Sequence, residues 1–99
     1  MQPFTRADLN SQRDEYAMTK MQEYINESVE KIYYGTRKVA VERSSHSFYY
    51  TVREQTFVDV ITISEAIRDE LQVLFPDFTI NIGDVNDGYN NSRYICVKW

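Results

Sequence analysis

His46 is the only histidine in the chain and Cys96 the only cysteine. A histidine next to a hydroxyl or thiol is the starting material of nucleophilic catalysis. The ring takes the proton, the oxygen or sulfur attacks, and a third group orients the base. Ser44, Ser45 and Ser47 flank His46, but this cluster brings no carboxylate of its own to orient the ring. The simpler reading is a polar residue where a helix gives way to a strand. Cys96 alternates with Ile95 and Val97, so a packing thiol accounts for it without chemistry.

Asp84-Val85-Asn86-Asp87-Gly88 opens like a calcium loop. The glycine comes one position early and no glutamate closes the loop, so a turn explains these residues better. Asn26-Glu27-Ser28 and Asn90-Asn91-Ser92 match the glycosylation acceptor pattern, which counts only behind a secretory signal. The chain has no glycine-rich phosphate loop, no His–Glu zinc motif and no cysteine pair. The expectation is a protein that is not an enzyme, with no catalytic residues, cofactor or metal.

The elements that would position these residues are easier to read. Thr5 with Asp8 forms a capping pair. Met18, Met21, Ile25, Val29 and Ile32 then recur at intervals of three and four, with Ala17, Tyr24, Ser28 and Tyr33 beside them. The spacing predicts one long helix over 7–43. Gly35 inside it costs about 1 kcal/mol against alanine. Gly35 as a C-terminal cap, with Val39-Ala40-Val41 as a short strand, is the alternative. After Ser44–Ser47, the alternation of Phe48, Tyr50 and Val52 gives a first strand. Residues 53–61 read as loop, strand extension or helical turn. Thr62 with Glu65, or Ser64 alone, caps a second helix carrying Ile63, Ile67, Leu71 and Leu74. Pro76 ends it, because Phe75 before a proline is pushed out of the α region.

Phe78, Ile80 and Ile82 share one face of a second strand; Ile95, Val97 and Trp99 share one face of a third. A type I′ turn at Asp87-Gly88 pairs Asn86 with Tyr89, Ile80 with Ile95 and Phe78 with Val97. A looser loop over 83–91 is the other solution. The expected core is Phe48, Tyr50, Ile67, Leu71, Leu74, Phe78, Ile80, Ile95, Val97 and Trp99. The expected fold is α+β in the order α-β-α-β-β. A long N-terminal helix and a second helix pack on one face of a three-stranded antiparallel sheet. Residues 1–99 form a single domain, with 1–6 a flexible tail.

Composition narrows the function classes. A hydrophobic share of 42% with eight tyrosines and five phenylalanines supports a folded core. A net charge of -4 disfavours general affinity for nucleic acid. No apolar run reaches the roughly 20 residues of a membrane span. The opening residues lack the apolar stretch of a signal peptide. One cysteine forms no internal disulfide, which points to an intracellular, reducing compartment.

Two surfaces remain for binding. Met18, Met21, Ile25, Val29 and Ile32 form a stripe on a helix longer than its domain, and a homodimer through that stripe would cover it. Arg37, Lys38, Arg43 and Arg53, with Lys31 nearby, make a local basic patch that nucleic acid would use. The tyrosines of the outer sheet face, Tyr49 and Tyr94, resemble a stacking platform but lack the aromatic-rich signature of RNA-binding domains.

Three local patterns cover roughly the last 60 residues: Arg43-Ser44-Ser45-His46-Ser47-Phe48-Tyr49-Tyr50, Leu74-Phe75-Pro76-Asp77 and Ile95-Cys96-Val97-Lys98-Trp99. In these the chain resembles small uncharacterised α+β proteins of nucleocytoplasmic large DNA viruses. The resemblance implies a viral origin and a virion-associated or accessory role, in the host cytoplasm or the virion. It supplies no catalytic residues. The expectation is a non-enzymatic viral protein acting through protein contacts, with itself or another viral protein. The alternative is a small nucleic-acid-binding domain.

Overall fold

The Thr5 hydroxyl accepts a hydrogen bond from the Asp8 N–H at 3.2 Å, and the Asp8 carboxylate accepts one from the Thr5 N–H at 3.0 Å. This reciprocal box satisfies two of the N–H groups that a helix start leaves unpaired. From it α1 runs Arg6–Glu42 as one 37-residue helix. Thr5 and Arg6 therefore belong to the cap and first turn, and the segment ahead of the helix is shorter than the expected 1–6.

The computed structural model describes residues 1–53, 59–86 and 91–99. After α1 come β1 (Ser47–Val52), α2 (Val60–Leu74), β2 (Thr79–Asn86) and β3 (Asn91–Lys98). The strands form one antiparallel sheet in the order β1-β3-β2. With both helices packed on the sheet, the fold is α+β in the order α-β-α-β-β. Ile25, Val29 and Ile32 of α1, Ile63, Ile67 and Leu71 of α2, and Val52, Ile80, Ile95 and Val97 of the sheet make the core.

Three rungs lay β1 back along α1. The Phe48 ring covers Gly35, where a Cβ would lie 2.5 Å from the ring's Cζ. The Tyr50 and Ser28 hydroxyls hydrogen-bond at 3.2 Å. The Arg53 N–H donates to the Tyr24 hydroxyl at 3.2 Å. Gly35 is thus neither cap nor break. It is the gap through which a strand approaches the helix, and the strand alternative at Val39–Val41 is not taken.

Two boundaries differ from the sequence reading. The cap of α2 is Asp59, whose carboxylate accepts from the Ile61 N–H at 3.2 Å. Thr62 and Glu65 lie inside the helix, and the buried Ser64 hydroxyl donates to the Val60 carbonyl at 2.7 Å. Residues three apart face the same way both in a capping box and in a helix interior, so spacing alone does not separate the two. At the other end Leu74, expected in the core, is half-exposed, and Phe75 is buried instead. Ahead of Pro76, Phe75 leaves the α region (φ −125°, ψ 70°) while its N–H still reaches the Leu71 carbonyl at 2.8 Å. That turn swings its ring between Tyr33 (5.4 Å between centroids) and Phe78 (4.7 Å), and Phe78 stacks in turn on Trp99 (5.6 Å).

The β2–β3 register is two residues away from the expected one. Asn86 pairs with Asn91, Ile82 with Ile95 and Ile80 with Val97. The expected tip at Asp87-Gly88 lies outside the described residues. A shift of two keeps every side chain on its face, so apolar alternation is blind to it. What the observed register gains is specific. Asp84 stands opposite Arg93, with an ion pair at 2.9 Å, and Gly83 stands opposite Tyr94, whose ring fills the space a Cβ would take.

Two stability outcomes follow. Gly35→Ala, ordinarily worth about 1 kcal/mol in a helix, is expected to destabilise the protein because the Phe48 ring must move. In a Phe48→Ala background the same change should stabilise it, and denaturant unfolding of the four proteins reads this coupling. Thr36 is buried, and its hydroxyl has no hydrogen-bond partner among the described residues. Thr36→Val is therefore expected to raise stability by about 1 kcal/mol, since it removes an unpaired polar group at nearly constant volume. A loss in the same unfolding measurement would mean the hydroxyl is satisfied in solution.

Candidate functional site

An open groove of about 260 Å³ lies between α1 and α2. Its apolar lining is Val29, Tyr33, Tyr34 and Leu74; Asn26, Glu30 and Glu70 supply its polar groups. The groove follows from the end of α2: Phe75 turns inward onto Tyr33, leaving Leu74 and Tyr34 as its outer walls. Tyr34 meets the Tyr33 ring edge to face at 5.3 Å, and the Arg37 guanidinium lies 5.6 Å from the Tyr33 centroid. Glu30 and Glu70 are exposed, and among the described residues neither forms an ion pair. The groove can therefore take an apolar side chain flanked by positive charge.

The sheet face away from the helices is the second open surface. Tyr49 stands opposite Cys96 across the β1–β3 ladder. The Tyr49 and Tyr94 rings lie 6.1 Å apart. A hydrogen bond with the Cys96 side chain pushes the Tyr49 hydroxyl above its ordinary pKa. Cys96 is only 3% exposed, so the tyrosines screen it. Thr51, Thr79, Asn81 and Lys98 surround this pair as exposed polar residues.

His46 and Cys96 are not brought together. His46 is exposed just ahead of β1, where its carbonyl accepts from the Trp99 N–H at 3.1 Å. Cys96 is opposite Tyr49, three strand positions away, or about 10 Å. The Ser45 hydroxyl is turned to the Ser47 carbonyl at 3.4 Å rather than to the ring. No three His, Cys, Asp or Glu side chains among the described residues could hold a metal ion. Of the acceptor pattern at Asn26, Ser28 is buried against Tyr50.

The stripe expected to face a partner is divided. Ile25, Val29 and Ile32 are buried in this chain's own core, Met21 is packed against it, and only Met18 is exposed. A folded chain therefore cannot offer that stripe whole to a second copy. The basic residues are spread as well. Lys31 pairs with Glu27 at 2.8 Å, and that hydrogen bond raises the Lys31 pKa. Arg37 covers Tyr33, while Lys38 and Arg43 are exposed near the end of α1. Arg53 sits level with Tyr24, nineteen positions before Arg43 along α1 and so about 28 Å from it.

The groove was not visible as a site in the sequence, although Glu30 and Tyr34, four apart beside the buried stripe, belong to one exposed face. Among the described residues no helix is long and apolar enough to cross a membrane. No family model, curated protein or solved structure matches the chain, so its class is given by its fold alone: a small α+β domain.

The screening of Cys96 is testable. In the folded protein it should react slowly with a thiol reagent, and Tyr49→Ala should speed the reaction with little change in unfolding midpoint. Equal rates in the two proteins would show that the Tyr49 ring does not cover the sulfur.

Proposed function

We propose that the chain works through protein contacts, with no catalysis of its own, as a small accessory or virion-associated protein of a nucleocytoplasmic large DNA virus. The observation that carries the contact role is the groove between α1 and α2. Tyr34 and Leu74 stay 59% and 48% exposed there beside two carboxylates. Tyrosine is favoured at interfaces, and an apolar side chain docked between these walls would free water from both surfaces. The viral placement rests on the resemblance at Arg43–Tyr50, Leu74–Asp77 and Ile95–Trp99 alone. A single buried thiol suits a reducing compartment such as the host cytoplasm or the virion. A nucleic-acid role has less support, because Arg53 stands far from Arg37, Lys38 and Arg43.

Affinity purification of the tagged chain from infected cells, beside Leu74→Glu, tests this reading. Leu74 is a surface position, so the substitution should shift stability by no more than about 0.5 kcal/mol. The expected result is a stoichiometric protein partner held by the native chain and lost with Leu74→Glu. Recovery of the same proteins with both chains, or of nucleic acid in their place, would overturn it.

A further inference from the structure

The radius of gyration is 16.9 Å, against about 13 Å for a compact chain of this length. The excess is α1. From Arg6 to Lys20 the helix is exposed apart from half-buried Ala17, so about 22 Å of it stands clear of the body. Four large apolar side chains of α1 remain in solvent on the side away from the core: Leu9 (55%), Tyr16 (54%), Tyr34 (59%) and Val41 (81%). Leu9 and Tyr16 are seven residues apart, and so are Tyr34 and Val41. They fall on a single line at alternating steps of four and three: 9, 13, 16, 20, 23, 27, 30, 34, 37, 41, the spacing of a helix–helix seam, here with charged residues at the positions between the four.

Charge along this seam is segregated. Over 9–34 its first half carries Arg13 and Lys20 and its second half Glu23, Glu27 and Glu30, with Arg37 following. Within one chain Lys20 reaches Glu23 at 3.4 Å and Lys31 reaches Glu27 at 2.8 Å, both pairs exposed, so a second copy would compete with these for Glu23 and Glu27. A parallel copy would set arginine on arginine and glutamate on glutamate. An antiparallel copy, turned about a twofold axis between residues 21 and 22, does the reverse. Arg13 then faces Glu30 of the second copy, Lys20 faces its Glu23, Tyr16 faces its Glu27, and Leu9 faces its Tyr34. A heptad further along, Tyr16 meets Tyr34, Leu9 meets Val41 and Lys20 meets Glu30, but Arg13 opposes Arg37 and Glu23 opposes Glu27. A heptad the other way, Arg6 meets Glu30 and Arg13 meets Glu23, but Leu9 is set on Glu27 and Tyr16 on Lys20. The first register alone joins opposite charges with Leu9 on Tyr34. In that register the projecting arm also brings Leu9 to the mouth of the groove, whose wall includes Tyr34 and Glu30.

We propose that α1 pairs with α1 of a second copy, antiparallel, along the Leu9–Tyr34 seam, each copy's projecting arm lying over the other's groove. This rests on the protein-contact reading above and names the partner as a second copy of the chain. The contact is about 39 Å long and one helix wide, small beside the roughly 800 Å² per partner of a standard interface. Much of it is ionic, so the pair is weak and salt-sensitive.

Sedimentation velocity of the full chain over the micromolar range, in low and high salt, tests the pairing. A dimer that forms with concentration in low salt and dissociates in high salt is expected. Arg13→Glu with Lys20→Glu should abolish it, and adding Glu23→Lys with Glu30→Lys should restore it. Rescue of this kind separates a broken contact from a broken fold. Under mild oxidation, Leu9→Cys combined with Tyr34→Cys should give a disulfide-linked dimer, while Leu9→Cys alone should not. A monomer at every concentration in low salt, a dimer indifferent to charge reversal, or efficient cross-linking through Cys at position 9 alone would each overturn the proposal. A chain that stays monomeric yet holds another protein in a Leu74-dependent way would refute the self-pairing and leave the contact role standing.

Discussion

A single dry face on the middle of α1 organises the molecule. Ile25, Val29 and Ile32 supply it, and all three are buried. β1 lies against one side of that face through Phe48, Tyr50 and Arg53; α2 lies against the other through the ring of Phe75 on Tyr33. Because β3 is the central strand, paired on both sides, placing β1 on α1 also fixes β3 and through it β2. The helix is thus a ruler on which the sheet is registered, and Gly35 sets the zero mark. A side chain there would hold Phe48 away and lift β1 off the helix.

The two helix boundaries that proved hardest to read share one cause. A helix end is decided by which of several capable residues first meets a backbone group free to bond, and that depends on where the chain arrives from. Asp59 and Thr62 are both capable caps; Asp59 comes first, and the helix has already begun when Thr62 is reached. The start of α1 was legible because Thr5 and Asp8 cap each other reciprocally at the first such pair in the chain. At Pro76 the local rule gave the right stopping point. It did not give the consequence, that the residue displaced from the helix would take the core position and leave Leu74 outside.

The hairpin separates what a pattern can specify from what only contacts can. Alternation assigned Ile80, Ile95 and Val97 to the buried face correctly, because side-chain period and burial are the same statement in a strand. It could not distinguish two registers that differ by an even number. That choice falls to unlike pairs on and beside the ladder, Gly83 with Tyr94 and Asp84 with Arg93, whose meaning appears only when the two sequences are set side by side. The candidate site was less legible still. Its walls come from α1 and α2, residues some forty apart, and two of them, Tyr34 and Leu74, look in sequence like ordinary helix positions.

The same helix explains why a stripe read as an interface became a core, and where an interface can still be. The apolar stripe of Ile25, Val29 and Ile32 is worth more buried within the chain, where it costs no translational freedom, than between chains. Once α2 and β1 have taken it, the part of α1 with no domain beneath it must be stable in water or be covered. Between Arg6 and Lys20 it is capped, rich in polar residues and nucleated by the packed part that follows, so it stands as a helix without a partner. Lys20 of the same helix lies 5.5 Å from the Tyr16 ring centroid, yet Leu9 and Tyr16 still stand half in solvent on one line, with cations between and after them. The acidic stretch of the same seam, one helix half further on, is a surface those residues fit, and only a second chain can bring the two halves together.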